Sequence, residues 1–197
     1  MRIGLTGGIG SGKSSVAALL VEQGIALVDT DAIARRLTQP GGSALPEIER
    51  AFGADMLEAG GGLARERMRS LVFADVSAKH RLEAILHPLI SAEAARQAGA
   101  AGTRTVVFDV PLLVESSHWR DRVDRVLVVD CSEATQLERV VRRSGWAQDA
   151  AQAVIAQQAS RSARRACADA VIFNDGITLA QLGAAVHALC RRWLAAA

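Results

Sequence analysis

Lysine is almost missing from this chain. Of 23 basic residues only Lys13 and Lys79 are lysines, and arginine supplies the rest. A planar guanidinium does not replace a compact ammonium where a point charge is needed, so a lysine retained at 13 marks a place that requires one. Cysteines are few and odd in number, Cys131, Cys167 and Cys190. They have no metal-ligand spacing, and the simplest expectation is a reduced, cytoplasmic setting. No stretch approaches the ~18 apolar residues of a membrane span. Glycines break up the N-terminal apolar run, which argues against a signal peptide. Long basic tracts are also missing: Arg142-Arg143 and Arg164-Arg165 are pairs only. With a net charge of +2 and a pI near 8.7, neither nucleic acid nor a membrane surface is an expected partner. Repeats and low-complexity linkers are absent as well. What is present is 197 residues, 50% of them hydrophobic, enough for one domain with its own core. A monomer is the expectation, with a weak oligomer as the alternative.

The most informative stretch is Gly7-Gly8-Ile9-Gly10-Ser11-Gly12-Lys13-Ser14. It follows a short apolar run, Ile3 to Leu5, and precedes Val16-Ala17-Ala18-Leu19-Leu20. Strand, glycine-rich turn and helix in that order make the phosphate-binding loop Gly-x-x-x-x-Gly-Lys-Ser. Glycines without Cβ let backbone N–H groups approach an anion. The helix N-terminus adds its dipole at the same spot. Lys13 is placed for the β- and γ-phosphates, and the Ser14 hydroxyl for Mg²⁺.

Gly24 ends the first helix. Ile25 to Val28 then reads as a wholly apolar strand of a parallel sheet, ending in Asp29-Thr30-Asp31. Ligands bind beyond the carboxyl ends of such strands. A carboxylate at Asp31 can therefore take a proton from an attacking hydroxyl or hold Mg²⁺ through water. Capping of a helix from Ala32 to Leu37 is the alternative reading. Residues 32 to 100 look helical: Ser43 caps a helix to about Phe52, Leu63 to Phe73 forms another, and Ser77 starts a longer one. Pro88 is expected to kink or break that last helix. So long a helical stretch exceeds what a crossover needs and reads as an inserted subdomain carrying the acceptor. Arg65 and Arg69 lie one turn apart within it.

Thr105 to Asp109 is the next strand, with Asp109 either supporting the magnesium water shell or capping. Arg125 to Val129 is another strand, ending at Asp130. Ser132-Glu133 opens a helix with Leu137, Val140 and Val141 inward and Arg139, Arg142 and Arg143 outward. A second helix runs from about Asp149 to Arg161, and the arginine-rich pair fits a lid over ATP. Ala170 to Phe173 is the last strand, followed by Asn174, the only asparagine in the chain, which reads as a turn or a nucleotide-base contact. Thr178 caps the final helix, with Leu179, Leu182, Val186, Leu189 and Trp193 along one stripe.

Several separate stretches make the chain resemble the dephospho-coenzyme A kinase family over nearly its whole length. They are Leu5 to Ser14, Asp29-Thr30-Asp31, Phe52-Gly53, Leu86-His87-Pro88-Leu89-Ile90, Pro111-Leu112-Leu113-Val114-Glu115, Gln158 with Arg161, and Ala168-Asp169 leading to Asn174-x-Gly176. The family commonly carries Asp-Ala-Asp at 29–31 and Thr at Ser15. The resemblance implies an α/β P-loop kinase core with a parallel five-stranded sheet flanked by helices (about 1–31, 101–137 and 162–197). It also implies a helical acceptor-binding subdomain (about 32–100) and a small helical lid (about 138–161). It implies transfer of the ATP γ-phosphoryl group to the ribose 3′-hydroxyl of dephospho-CoA, with Mg²⁺. Gly8, Ile9, Gly10, Ser11, Gly12, Lys13, Ser14 and Ser15 would bind ATP, with Ser14 at the metal. Arg139 and Arg161 would approach the phosphates and Asn174 the adenine side. Asp31 would be the base. Arg65, His87, Pro111, Leu112 and Leu113 would lie along the acceptor site. The competing expectations are a shikimate- or gluconate-type kinase and a regulatory NTPase. The insertion speaks against the former, and the lack of an Asn-Lys-x-Asp guanine motif against the latter.

Overall fold

Arg2–Gly7 forms the central strand, β1. The structure, a computed structural model, describes residues 1–102, 105–115 and 117–194. Strand β1 pairs in parallel with β3 (Val106–Asp109) on one side and β4 (Arg125–Asp130) on the other. β2 (Ala26–Asp29) and β5 (Ala170–Phe173) complete a five-stranded parallel sheet of order β2-β3-β1-β4-β5. The register sets Leu5 opposite Asp109 and Gly7 opposite Val129. Residues that end neighbouring strands, and the loops after them, therefore share one edge.

The inner strands are continuous apolar runs because both faces are covered. Leu5, Val126, Leu127, Val128 and Val129 are all 0% exposed. On one face lie α1 (Lys13–Glu22) and α9 (Leu179–Leu194). Val16, Ala17, Leu20, Leu182, Val186 and Leu189 pack there against Ile3, Leu5, Val107, Leu127 and Ile172. Each fully buried aliphatic side chain contributes about 1.5–3 kcal/mol. The stripe of α9 begins later than the spacing predicts, since Leu179 is exposed in its first turn. Strand β2 is an edge strand, and Leu27 is correspondingly exposed rather than covered.

The chain divides into two compact units, Met1–Val28 with Ala101–Ala197, and Asp29–Ala100. The second unit holds α2 (Thr30–Leu37), α3 (Leu45–Phe52), α4 (Arg65–Ala74) and α5 (Val76–Ala100). Its core is Leu45, Ile48, Leu63 and Met68, with Leu82, Ile85, Leu86 and Leu89 of α5 packed on it.

Three local expectations are corrected here. Helix α5 runs unbroken through Pro88. Pro88 lies on its exposed side, while the apolar residues on both sides of it pack on one core and hold a common axis. Ser43 does not cap α3. That cap is Ala44, with no side-chain bond, and the turn before it closes through backbone bonds from Gly42 to Gln39 and from Ala44 to Leu37. Leu63 is not helical but bridges Leu57 in an antiparallel pair.

In the first unit, α6 (Glu133–Ser144) starts at its expected cap, Ser132, and stops at Gly145, where φ is +65°. The following segment is two helices, not one: α7 (Gln148–Gln157) and α8 (Arg161–Ala166), with Ser160 capping the second.

Candidate active site

Strand β1 leads straight into the glycine-rich loop, and α1 starts at Lys13 with Gly12 as its cap at φ +90°. Gly10 also has positive φ, +76°. A Cβ at Gly10 would lie 2.7 Å from the Gln136 carbonyl oxygen, and one at Gly12 would lie 2.2 Å from Asn174 Nδ2. These two glycines are thus required by conformation and by space.

The loop is braced from several sides. Ser11 N–H donates to Gly8 O at 3.0 Å. Asn174, 7% exposed, donates its Nδ2 to Ser11 O at 2.8 Å. Arg139 is not turned outward: its Nη1 reaches Gly10 O at 3.3 Å and Ser11 O at 3.4 Å. Ile9 N–H donates to Gln158 Oε1 at 2.8 Å. Beneath Gly8 lie Gln136, 1% exposed, and Arg164, 5% exposed. Ser11 Oγ, Gln136 Oε1 and Arg164 Nε are buried with no hydrogen-bond partner, a concentration of unsatisfied polar atoms around one loop.

Lys13 Nζ forms an ion pair with Asp109 Oδ1 at the carboxyl end of β3. Both side chains are largely buried, at 16% and 14% exposure. The lysine thus meets a carboxylate at the strand end next to the loop. Arg161 forms a two-point ion pair with Asp130, Nε to Oδ1 at 2.9 Å and Nη2 to Oδ2 at 2.8 Å. Asp130 is buried at the end of β4, and its hydrogen bond raises the Arg161 pKa further. Asp175 accepts from Ser132 N–H at 2.9 Å and from Thr135 Oγ1 at 2.6 Å. The Thr135 bond first, then those from Ser132, push its carboxyl down to about 2. Burial pushes the Cys131 thiol up to about 11, so this cysteine beside Gly10 is a neutral packing group and not a nucleophile.

Of the Pro111-Leu112-Leu113 stretch, Leu113 is buried and fills space over Gly4, where a Cβ would lie 2.5 Å from its Cδ1. Leu112 is exposed, and the Pro111 carbonyl accepts from Thr6 Oγ1 at 3.1 Å.

In the Asp29–Ala100 unit, Asp29 is the helix cap, accepting from Ala32 N–H at 2.8 Å. Asp31 sits in the first turn of α2 and is exposed. The capping reading thus belongs to Asp29. Asp31 lines a cavity of about 280 Å³ with Ala34, Arg35, Thr38, Leu63, Arg65 and Leu86. Arg65 is held at its wall, Nη2 donating to Thr38 Oγ1 at 3.0 Å. His87 is half-buried on α5, and the lining stops one residue short of it at Leu86. Arg69 turns to Glu66 at 3.0 Å in an exposed pair, which adds little.

The anchoring roles of Gln136, Gln158 and Arg164 were not apparent from sequence. Gln158 and Arg161 stood out only within the family resemblance, and hydropathy conceals a buried glutamine or arginine.

A parallel sheet whose central strand runs into this loop, with a lysine and a strand-end carboxylate beside it, defines a P-loop kinase. Residues 1–180 match the family model for dephospho-CoA kinase. The dephospho-CoA kinase of Burkholderia thailandensis is 56% identical over 192 residues, covering 98% of this chain and 95% of that protein. That of Bordetella pertussis is 51% identical over 197 residues, covering 100% and 92%. A solved protein of Thermus thermophilus superposes with a TM-score of 0.86 at 32% identity, over 98% of this chain and 97% of that one. The shikimate kinase of Acinetobacter baumannii shares the fold only, with a TM-score of 0.53 at 16% identity over 98% and 93%. The chain belongs to the dephospho-CoA kinase family.

Proposed function

We propose that this protein transfers the γ-phosphoryl group of ATP to the ribose 3′-hydroxyl of dephospho-CoA, the last step in making coenzyme A. Family membership over residues 1–180 supports the reaction class. The observation that carries the reading is the pairing of an intact phosphate loop with an inserted unit that has its own cavity lined by a carboxylate and two arginines.

Lys13 exchanges Asp109 for the β- and γ-phosphates and screens the charge carried by the transferred group. Backbone N–H groups of the loop and of the start of α1, up to Ser14, fix the phosphates, with the Ser15 hydroxyl beside them. Arg139 adds positive charge toward the triphosphate from beside the loop carbonyls, and Arg161 does so on exchanging Asp130 for phosphate oxygen. Asn174 holds the loop backbone beside the nucleotide. Asp31 orients the acceptor hydroxyl and takes its proton. Arg65 pairs with an anionic group of the acceptor, while His87, Pro111, Leu112 and Leu113 shape its surroundings.

The donor set fits Mg²⁺ brought in with ATP. Among the described residues no cluster of three His, Cys, Asp or Glu could hold a metal alone, and this ion is ordinarily held by one or two protein oxygens plus substrate phosphates. Ser14 Oγ, with Asp109 once Lys13 has left it, would hold it. When bound, the ion supplies charge neutralisation between the β- and γ-phosphates.

The test is the position of the new phosphate. Phosphorus NMR of the product should report a 3′-monophosphate on the adenosine ribose. A phosphate at the 2′-hydroxyl, or on the pantetheine end, would overturn the reading.

A further inference from the structure

We infer that Gln158 is a positioning residue for ATP, fixing the phosphate loop from the hinge between α7 and α8. The inference rests on the kinase reading above and deepens it.

The hinge is the short segment 158–160 between two helices. Each of its first two residues makes a long-range polar contact. Gln158 Oε1 accepts from Ile9 N–H at 2.8 Å. Ala159 N–H donates to Glu115 Oε1 at 2.7 Å. The Ala159 carbonyl accepts from Arg164 Nη1, and the same guanidinium lies beneath Gly8, with Nη2 2.8 Å from where a Cβ there would stand. The peptide between Gly8 and Ile9 is therefore held at its N–H by Gln158 and approached closely at Gly8 by Arg164.

That peptide opens the turn that must aim N–H groups at a triphosphate. Its orientation sets where Gly10 and Gly12, both at positive φ, place the groups after it. The Ile9 N–H is used inside the protein, so Gln158 acts through the loop and not on ATP. Arg164 is 5% exposed, and its Nε has no hydrogen-bond partner. A buried cation is costly without a nearby anion, and a triphosphate on the loop above would supply one. The bracing thus favours the arrangement that ATP needs.

The experiment uses the full chain with Gln158→Met, which keeps the length and removes the acceptor. Initial rates are measured with ATP varied at saturating dephospho-CoA, and then the reverse. Removing one hydrogen bond to a part-buried donor should cost about tenfold. The expected result is KM for ATP raised about tenfold, with KM for dephospho-CoA within about twofold of wild type at saturating ATP. A role confined to stability would lower the active fraction, and so kcat, with both KM values unchanged. That pattern, or an ATP KM within about twofold of wild type, would overturn the inference. If the Met variant does not fold, Gln158→Asn removes the same bond by being one methylene too short, and is read in the same way. Wild-type protein that fails to turn over ATP with dephospho-CoA would sink the kinase reading itself, which is a separate result.

Discussion

Asp31 and Asp29 are two residues apart and do different work. Asp29 spends its carboxylate on the Ala32 N–H and fixes the start of α2. Asp31 lines a cavity. Replacing Asp31 with Asn keeps the shape and removes the proposed base. The expected outcome is a kcat lower by roughly 10²–10⁴-fold with little change in ATP affinity, measured by steady-state kinetics and ATP titration. A near wild-type kcat would exclude an essential base. At this scale the sequence was most legible where conformation dictates residue type, at Gly10 and Gly12 of the loop. It was least legible where polar groups are buried. Gln136 at 1% and Arg164 at 5% exposure read as surface residues by type, and only the fold shows them under Gly8. Arg139 likewise read as outward by helical spacing, yet its length lets it reach back to the loop carbonyls.

At the scale of elements, helix signals were read well at α6 and α9 and badly at proline. Pro88 removes one backbone hydrogen bond from α5, but the core under Leu82, Ile85, Leu86 and Leu89 is long enough to carry the helix past it. Pro88→Ala should therefore restore a bond without changing the path, and raise stability by about 1–3 kcal/mol in urea unfolding. A loss of stability would mean that the ring itself is packed and needed. The start of α6 depends on Asp175, whose carboxyl is held down to about 2 by Thr135 and Ser132. A folded-state pKa below the unfolded one adds stability above the ordinary carboxylate range, and loses it as pH falls through the folded value. Asp175→Asn should thus melt lower than wild type near neutral pH. The gap should narrow as pH drops from about 3.8 toward about 2. A gap independent of pH in thermal melts would show that charge plays no part. The break between α7 and α8 was missed because Arg161 continues a helical pattern. The break is made by Ser160 capping α8.

For the whole molecule, a parallel sheet flanked by helices follows from the run of apolar strands separated by helical stretches, while the strand order β2-β3-β1-β4-β5 comes only from the structure. The long helical stretch between the second and third strands corresponds to the compact unit Asp29–Ala100. Fold alone does not choose the substrate, since shikimate kinases share it. What distinguishes this chain is the family match over residues 1–180 and 56% identity to a dephospho-CoA kinase; within the Asp29–Ala100 unit, the cavity brings Asp31, Arg35 and Arg65 together. The most direct measurement is a mass-spectrometric turnover assay with ATP and Mg²⁺, offering dephospho-CoA, shikimate, gluconate or no acceptor. The account predicts one phosphoryl group gained on dephospho-CoA alone, and a rate lower by about a hundredfold or more in Lys13→Ala. Phosphorylation of another acceptor in its place, or equal ATP consumption with none present, would contradict it.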